Sequence, residues 1–147
     1  MVDARGMAII PAFVDSHAHM VWAGDRSNEI TMRAEGLDYS EISNLGGGIR
    51  KTVSQTRDAT KDKLSELFVQ RLRSAKTLGT ARIECKSGYG LDVSNEIQAL
   101  EVMGISNPPI SIDRTWLGAH DIPHGVSRQR YLAVSYTHLR AHETELD

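Results

Sequence analysis

The sequence of 147 residues contains a single cysteine, few aromatic residues and no long apolar segment. Cys85, as the only cysteine, cannot take part in an internal disulfide. No uninterrupted apolar stretch approaches the roughly 18 residues that a bilayer span needs. The N-terminus also lacks the basic segment and apolar core of a secretory signal. These features predict a cytoplasmic protein with no membrane partner.

An excess of charge of one sign is missing as well. The 17 basic and 19 acidic residues are interspersed and give a formal net charge of -2. Without a basic face or an acidic tail, neither nucleic acid nor another polyelectrolyte is an expected partner. The 40% of hydrophobic residues is typical of a soluble globular protein.

Two histidines, one residue apart, follow an apolar run. The run Met7–Val14 predicts a buried strand, and in extended backbone alternate side chains share a face, so His17 and His19 can point the same way. Two neutral imidazoles at that spacing can bind one divalent metal ion, with Asp15 or Ser16 assisting from the second shell of hydrogen bonds. From spacing alone, a solvated or hydrogen-bonded pair is the alternative. Polar residues at the end of a buried strand are typical of parallel α/β sites, which favours the metal.

The rest of the chain alternates between helical and extended patterns. Residues 28–45 are spaced as in short helices, and Gly46–Gly48 predicts a loop into a further helix, either near an active site or as a plain hinge. Thr60 is a plausible N-cap and Gly79 a C-terminal stop for the clearest helix. The later predicted elements are a helix over about 61–78, a strand over 80–86, a helix over about 95–103 and a strand over 110–117. This order predicts a parallel sheet of the α/β class.

Within the strand over 80–86, Glu84 and Lys86 share a face, whereas Cys85 points to the opposite side. We expect an internal polar layer or a buried ion pair from the first two residues. Cys85 is expected to be a small buried hydrophobe, because nothing in the sequence supplies a base to activate it.

Several segments resemble a known family. Pro11–His19 resembles the Pro-Gly-Phe-Val-Asp-x-His-x-His signature of the metal-dependent amidohydrolase superfamily, with Ala12 in place of the usual glycine. Further segments, in the same order along the chain, resemble the imidazolonepropionase family of that superfamily. They are Val21–Glu29, Gly46–Ile49 with Thr52-Val53 and Thr56-Arg57, Glu84–Leu91, and Leu117–His120.

The resemblance implies an α/β fold of the (β/α)8 TIM-barrel type. A complete barrel of this type needs about 200 to 250 residues, so the 147 residues would cover about its first three strands. We therefore expect residues 1–134 to be a partial amidohydrolase barrel domain. Residues 135–147 resemble translated sequencing-adapter DNA and are expected to be a non-native tail, so His138 and His142 are not counted as a metal pair.

The resemblance also implies a reaction, namely hydrolysis of the cyclic amide C–N bond of 4-imidazolone-5-propanoate to N-formimidoyl-L-glutamate in histidine degradation. It implies one divalent metal ion, zinc or iron, a small-molecule substrate and, for the parent enzyme, a homodimer. The implied site residues are His17 and His19 as metal ligands, Arg26, Tyr89 and Tyr39 as substrate-binding residues, and His120 as a catalytic and substrate-binding residue.

Each role has an alternative in the sequence. Arg26 alone would be read as a solvated arginine, Tyr39 as a packing residue and His120 as a loop histidine bonded to backbone. For the whole chain, the alternatives are another amidohydrolase, such as a purine or pyrimidine deaminase, and a catalytically inactive metal-binding fragment. The family also needs a third metal histidine, an acidic or amide residue and a metal-binding aspartate that this sequence does not contain, so the isolated chain is predicted to be inactive.

Overall fold

The computed structural model describes residues 3–123 and 125–143, which fold as an α/β structure. Its elements, in chain order, are β1 (Phe13–Ala18), α1 (Asn28–Ala34), α2 (Tyr39–Asn44), α3 (Gly48–Asp58), α4 (Lys61–Thr77), β2 (Thr80–Lys86), α5 (Val93–Met103), β3 (Ser111–Thr115) and α6 (Arg128–Glu143). No helix in these residues has both the length and the apolar character that a membrane span requires.

The three strands form one parallel sheet in the order β1-β2-β3. Parallel neighbours need long crossover connections, and these are supplied by the helices between β1 and β2 and by α5 between β2 and β3. The predicted parallel α/β sheet is confirmed, and it is compatible with part of a barrel. Because all three strands run the same way, the loops after them meet at one edge of the sheet.

The predicted first strand was wrong in its bounds and in its burial. The strand runs over Phe13–Ala18, so that His17 lies within it. Phe13 pairs with Thr80, where β2 begins, so the residues before Phe13 have no neighbouring strand to bond with. Ile9 and Ile10 are 85% and 71% exposed, because no element in the described part of the chain covers them.

The hydrophobic core lies between the sheet and two helices. Leu64, Phe68 and Leu72, on one face of α4, are at most 2% exposed and pack in one cluster with Ile83 and Cys85 of β2. Full burial of each such side chain is worth about 1.5–3 kcal/mol. The predicted burial of Cys85 is confirmed, and its burial raises the pKa of the thiol to about 11.

The later elements follow the predicted pattern closely. The helix α4 ends one residue short of the prediction, and the Thr60 hydroxyl accepts a hydrogen bond from the Lys63 N–H at 3.2 Å, as expected of an N-cap. The strand β2 has the predicted bounds, and residues 28–45 contain the short helices α1 and α2. Gly79 has a φ of 95°, which suits its place after the end of α4.

Candidate metal and substrate site

Four predicted site residues meet at the carboxyl edge of the sheet. His17 and His19 lie at the end of β1, Tyr89 follows β2 and His120 follows β3. The His19 ring is central: its centroid is 5.4 Å from that of His17, 5.3 Å from that of Tyr89 and 4.7 Å from that of His120, on which it stacks. Tyr89 and His120 are themselves in edge contact at 5.6 Å. We call these four rings the ring cluster.

His19 has the properties of a metal-binding imidazole. Its Nδ1 atom is buried and makes no hydrogen bond to any of the described residues. Burial lowers the pKa of His19, and the nearby His120 and His17 lower it further. Backbone groups of Ser87 and Lys86 oppose this shift but do not reverse it, so the neutral ring that binds metal ions is favoured. The Trp22 indole donates to the His19 carbonyl at 3.1 Å and holds the backbone there.

His17 contacts His19 but is itself exposed to solvent. Asp15, expected to assist one of the two rings, accepts a hydrogen bond from the backbone N–H of His17 at 3.0 Å instead. In the part of the chain that the structure describes, no group of three or more His, Cys, Asp or Glu residues could hold a metal ion. The two imidazoles therefore fit a metal ion in part, as two ligands of an incomplete set.

Arg26 is held in the loop after β1 by a carboxylate that the sequence analysis did not single out. Its Nε and Nη2 atoms donate to the two oxygens of Glu29 at 2.8 and 2.7 Å. Glu29 is 4% exposed and also accepts the Gly48 N–H at 2.7 Å. The hydrogen bonds from Arg26, supported by the one from Gly48, lower the pKa of Glu29 to about 2 despite its burial. Arg26 is thus an anchored residue.

The anchored guanidinium keeps donors for a ligand. Arginine has five N–H donors, and Glu29 takes the edge formed by Nε and Nη2, so both Nη1 hydrogens and one on Nη2 remain. The pKa of Arg26 is raised chiefly by the hydrogen bond to Glu29, with smaller electrostatic contributions from Tyr39 and Tyr89. Tyr39 is 55% exposed, so it is not packed in the core.

His120 has a fixed tautomer. Its Nδ1 atom lies 3.0 Å from the carbonyl oxygen of Gly88, and because a carbonyl can only accept, Nδ1 carries the proton. The Nε2 atom is then the nitrogen left for other partners. The backbone bond expected of a loop histidine is present, yet the ring also belongs to the ring cluster.

A polar group on β2 lies beside this site. Lys86 donates to Glu84, which also accepts from the Thr115 hydroxyl at 2.8 Å. The Lys86 hydrogen bond is the main reason why the pKa of Glu84 is lowered, and His17 makes a small further electrostatic contribution. The predicted pairing of Glu84 with Lys86 is confirmed.

Comparisons with known proteins were made at the level of sequence. No protein-family model matches the chain. A protein named probable imidazolonepropionase from Homo sapiens is 43% identical over 127 residues, which are 85% of this chain and 30% of that protein. The imidazolonepropionase of Colwellia psychrerythraea is 43% identical over 125 residues, 84% of this chain and 30% of that protein. The chain is a partial homologue of the imidazolonepropionases. The resemblance inferred from its motifs is confirmed.

The curated relatives are much longer than this chain. The chain spans about 30% of the length of the curated imidazolonepropionases that it matches. The imidazolonepropionase of Symbiobacterium thermophilum gives the same result, with 42% identity over 84% of this chain and 29% of that protein. More than two thirds of a complete imidazolonepropionase therefore has no counterpart in this sequence.

Proposed function

We propose that this chain is part of a metal-dependent imidazolonepropionase, which hydrolyses 4-imidazolone-5-propanoate to N-formimidoyl-L-glutamate. The observation that carries the proposal is the ring cluster itself: His17, His19, Tyr89 and His120 meet at one edge of a parallel sheet. Arg26 lies in the loop after β1, which leaves the sheet at that same edge. We further propose that the sheet is the first part of an amidohydrolase TIM barrel, in which this edge carries the active site.

His17 and His19 are the residues that would hold the metal ion, zinc or iron, together with ligands from outside this chain. When bound, such an ion lowers the pKa of a coordinated water and polarises a carbonyl group. The buried, unpartnered Nδ1 of His19 supports this assignment, since an unpaired buried polar atom needs a partner.

Arg26 and the two tyrosines would bind the acidic side of the substrate. The free donors on Nη1 and Nη2 of Arg26 form an end-on pair that matches a carboxylate. Tyr89 and Tyr39 would add phenol groups that can donate hydrogen bonds to the carboxylate. This arrangement would fix the propionate and thereby orient the ring of the substrate.

His120 would act on the reacting carbonyl group. Because its Nδ1–H is committed to Gly88, its Nε2 is the nitrogen that can meet the substrate. A protonated Nε2 would donate a hydrogen bond to the carbonyl oxygen as negative charge develops there. Hydrolysis would add the oxygen of a water molecule to the carbonyl carbon and transfer a proton from that water to the ring nitrogen as the cyclic C–N bond breaks, and the base for this transfer would come from outside this chain.

We also propose that residues 1–134 form the barrel part and that residues 135–147 are a non-native tail. The matches to the curated relatives cover 125 to 131 of the 147 residues, which leaves room for such a tail. The helix α6 spans the proposed boundary, and residues 144–147 lie outside the described residues. A homodimer remains our expectation for the complete enzyme.

The test uses a complete enzyme that contains this segment. We expect turnover of imidazolonepropionate, dependent on zinc or iron. We also expect Arg26→Lys to raise KM at least about tenfold, because lysine cannot form the paired contact. Arg50→Lys, at an exposed position on α3, is the matched control. Ammonia release from aminated purines or pyrimidines, with no action on imidazolonepropionate, would establish a deaminase instead. Metal binding without substrate affinity would establish an inactive metal-binding protein.

A further inference from the structure

A buried glutamate binds the loop that carries Tyr89. We call residues 87–91, between β2 and α5, the Tyr89 loop. One oxygen of Glu96 accepts the Gly88 N–H at 2.7 Å, and the other accepts the N–H groups of Gly90 and Leu91, both at 2.8 Å. Glu96 lies in the first turn of α5 and is 2% exposed. Tyr89 thus lies between two backbone positions that one carboxylate anchors.

The backbone of the Tyr89 loop needs such an anchor. Gly88 has a φ of 126°, and Leu91 has a φ of 54°, which is uncommon for a residue with a side chain. Conformations of this kind persist where surrounding contacts determine them. A further contact comes from α3, since Arg57 Nε donates to the Gly90 carbonyl at 2.6 Å. The loop is therefore bound from two helices.

The same anchor reaches His120 through one residue. Gly88 donates its N–H to Glu96 and accepts at its carbonyl from Nδ1 of His120. A Cβ atom on Gly88 would lie 2.8 Å from that Nδ1, so only glycine allows the contact. The position of Gly88 therefore determines both where the His120 ring lies and which of its nitrogens carries the proton.

We infer that Glu96 is a positioning residue of the active site, which sets the places of Tyr89 and His120 without touching the substrate. This inference rests on the proposed function for its effect on catalysis. Its physical basis is that three backbone N–H groups donate hydrogen bonds to one carboxylate and so order a loop that would otherwise sample several backbone conformations. A misplacement of about 1 Å at such groups can cost up to about a hundredfold in rate.

The first test is Glu96→Gln in a complete enzyme that contains this segment. Glutamine keeps one acceptor oxygen and replaces the other with an NH₂ group, which must face at least one of the three N–H donors. We expect kcat to fall about tenfold to a hundredfold through His120 and KM to rise through Tyr89. The matched control is Glu101→Gln on the same helix, an exposed glutamate paired with Lys61, which should leave both constants unchanged.

The second readout does not depend on activity. The ¹⁵N NMR signals of His120 should show the Nδ1–H tautomer in the parent protein and a mixture of tautomers in Glu96→Gln. If Glu96→Gln does not fold, Gly88→Ala displaces His120 from the other side of the contact and should give the same loss of the fixed tautomer. The inference would be overturned if a folded Glu96→Gln variant kept wild-type kinetics and an unchanged His120 signal. The same result in Gly88→Ala would overturn it if Glu96→Gln does not fold. If the parent enzyme does not hydrolyse imidazolonepropionate, the proposed function fails. The NMR comparison of the His120 tautomer then tests by itself whether Glu96 positions the Tyr89 loop.

Discussion

At the scale of single residues, two buried carboxylates organise the candidate site. Glu29 holds Arg26 and joins it to the first residue of α3, while Glu96 holds the Tyr89 loop. Each satisfies its charge with three hydrogen bonds, which is the condition under which a carboxylate can be buried. Arg26 and Tyr89, which would touch the substrate, are thus held in place by two glutamates that would not touch it.

The Glu29 contact predicts a dependence of stability on pH. The pKa of Glu29 is about 2 in the folded chain and near its usual value of 4.5 when unfolded. The stability that its ionisation supplies is therefore full above about pH 4.5 and is lost as the pH falls toward 2. We expect Glu29→Gln to be less stable than the parent by about 2 kcal/mol at pH 7, and this difference to fall to less than about half at pH 2.5. Chemical denaturation at the two pH values measures the difference.

The control for this prediction is Glu35→Gln, an exposed carboxylate just after α1. It should change the free energy of unfolding by less than about 0.5 kcal/mol at either pH. A Glu29→Gln difference that stayed constant from pH 7 to pH 2.5 would show that the ionised form of Glu29 does not supply this stability.

The residue scale also shows what the sequence could reveal. The spacing of His17 and His19 predicted their shared position, because alternation in a strand is a local property. Glu29 and Glu96 gave no such signal, since acidic residues in the first turn of a helix are common and favourable wherever the helix lies. Their importance depends on partners elsewhere in the fold, such as Gly48, which is 19 residues from Glu29.

At the scale of elements, the helix α4 fixes the loop that follows His19. Arg71 donates from one Nη1 atom to the carbonyls of Met20 and Trp22, both at 2.7 Å. Its guanidinium carbon also lies 3.6 Å from the Trp22 ring centroid. Since the Trp22 indole donates to the His19 carbonyl, Arg71 and Trp22 together connect α4 to the backbone of His19.

This connection predicts that Arg71→Met weakens the chain and, in a complete enzyme that contains this segment, the proposed metal site as well. Methionine keeps apolar contact but removes both hydrogen bonds, so we expect a loss of about 2 kcal/mol in the free energy of unfolding. We also expect weaker zinc binding, because His19 is less well placed. Thermal unfolding and competition with a zinc chelator measure the two effects. The control is Arg73→Met, at an exposed position on the same helix, which should change neither the stability nor the zinc affinity. An unchanged zinc affinity in Arg71→Met would show that α4 does not help to position His19.

The elements themselves were largely predictable, and the exception has a physical cause. The strand β2 and the helix α4 were found because their periodic patterns and end signals are local. The strand β1 was misplaced toward its apolar residues, because a strand extends only where a neighbouring strand bonds to it, and β2 begins opposite Phe13. The apolar run therefore indicated that a strand was nearby but not where that strand begins and ends.

At the scale of the whole molecule, the proposed site would be divided between this chain and a part that the chain does not contain. Two imidazoles contact each other, and the described residues hold no group of three metal ligands. A catalytic metal site needs about three protein ligands and a base for the attacking water. We therefore expect the purified 147-residue chain with added zinc to show no turnover of imidazolonepropionate. Measurable turnover, absent from a His17→Ala, His19→Ala control, would contradict this.

The sheet gives the last prediction, because the proposed barrel would cover surfaces that are open in this chain. The strand β1 is an edge of the described sheet, and its Val14 is 68% exposed. In a closed barrel both faces of every strand are covered, so Val14 would be buried there.

The substitution Val14→Lys should then have different effects on the 147-residue chain and on a complete enzyme that contains this segment. In the 147-residue chain it should change stability by less than about 0.5 kcal/mol and reduce self-association at the open edge, as light scattering would show. In a complete enzyme that contains this segment it should cost several kcal/mol, because it buries an unpaired charge. A complete enzyme that tolerates Val14→Lys with unchanged thermal stability would mean that β1 keeps its exposed face, and the barrel proposal would fail.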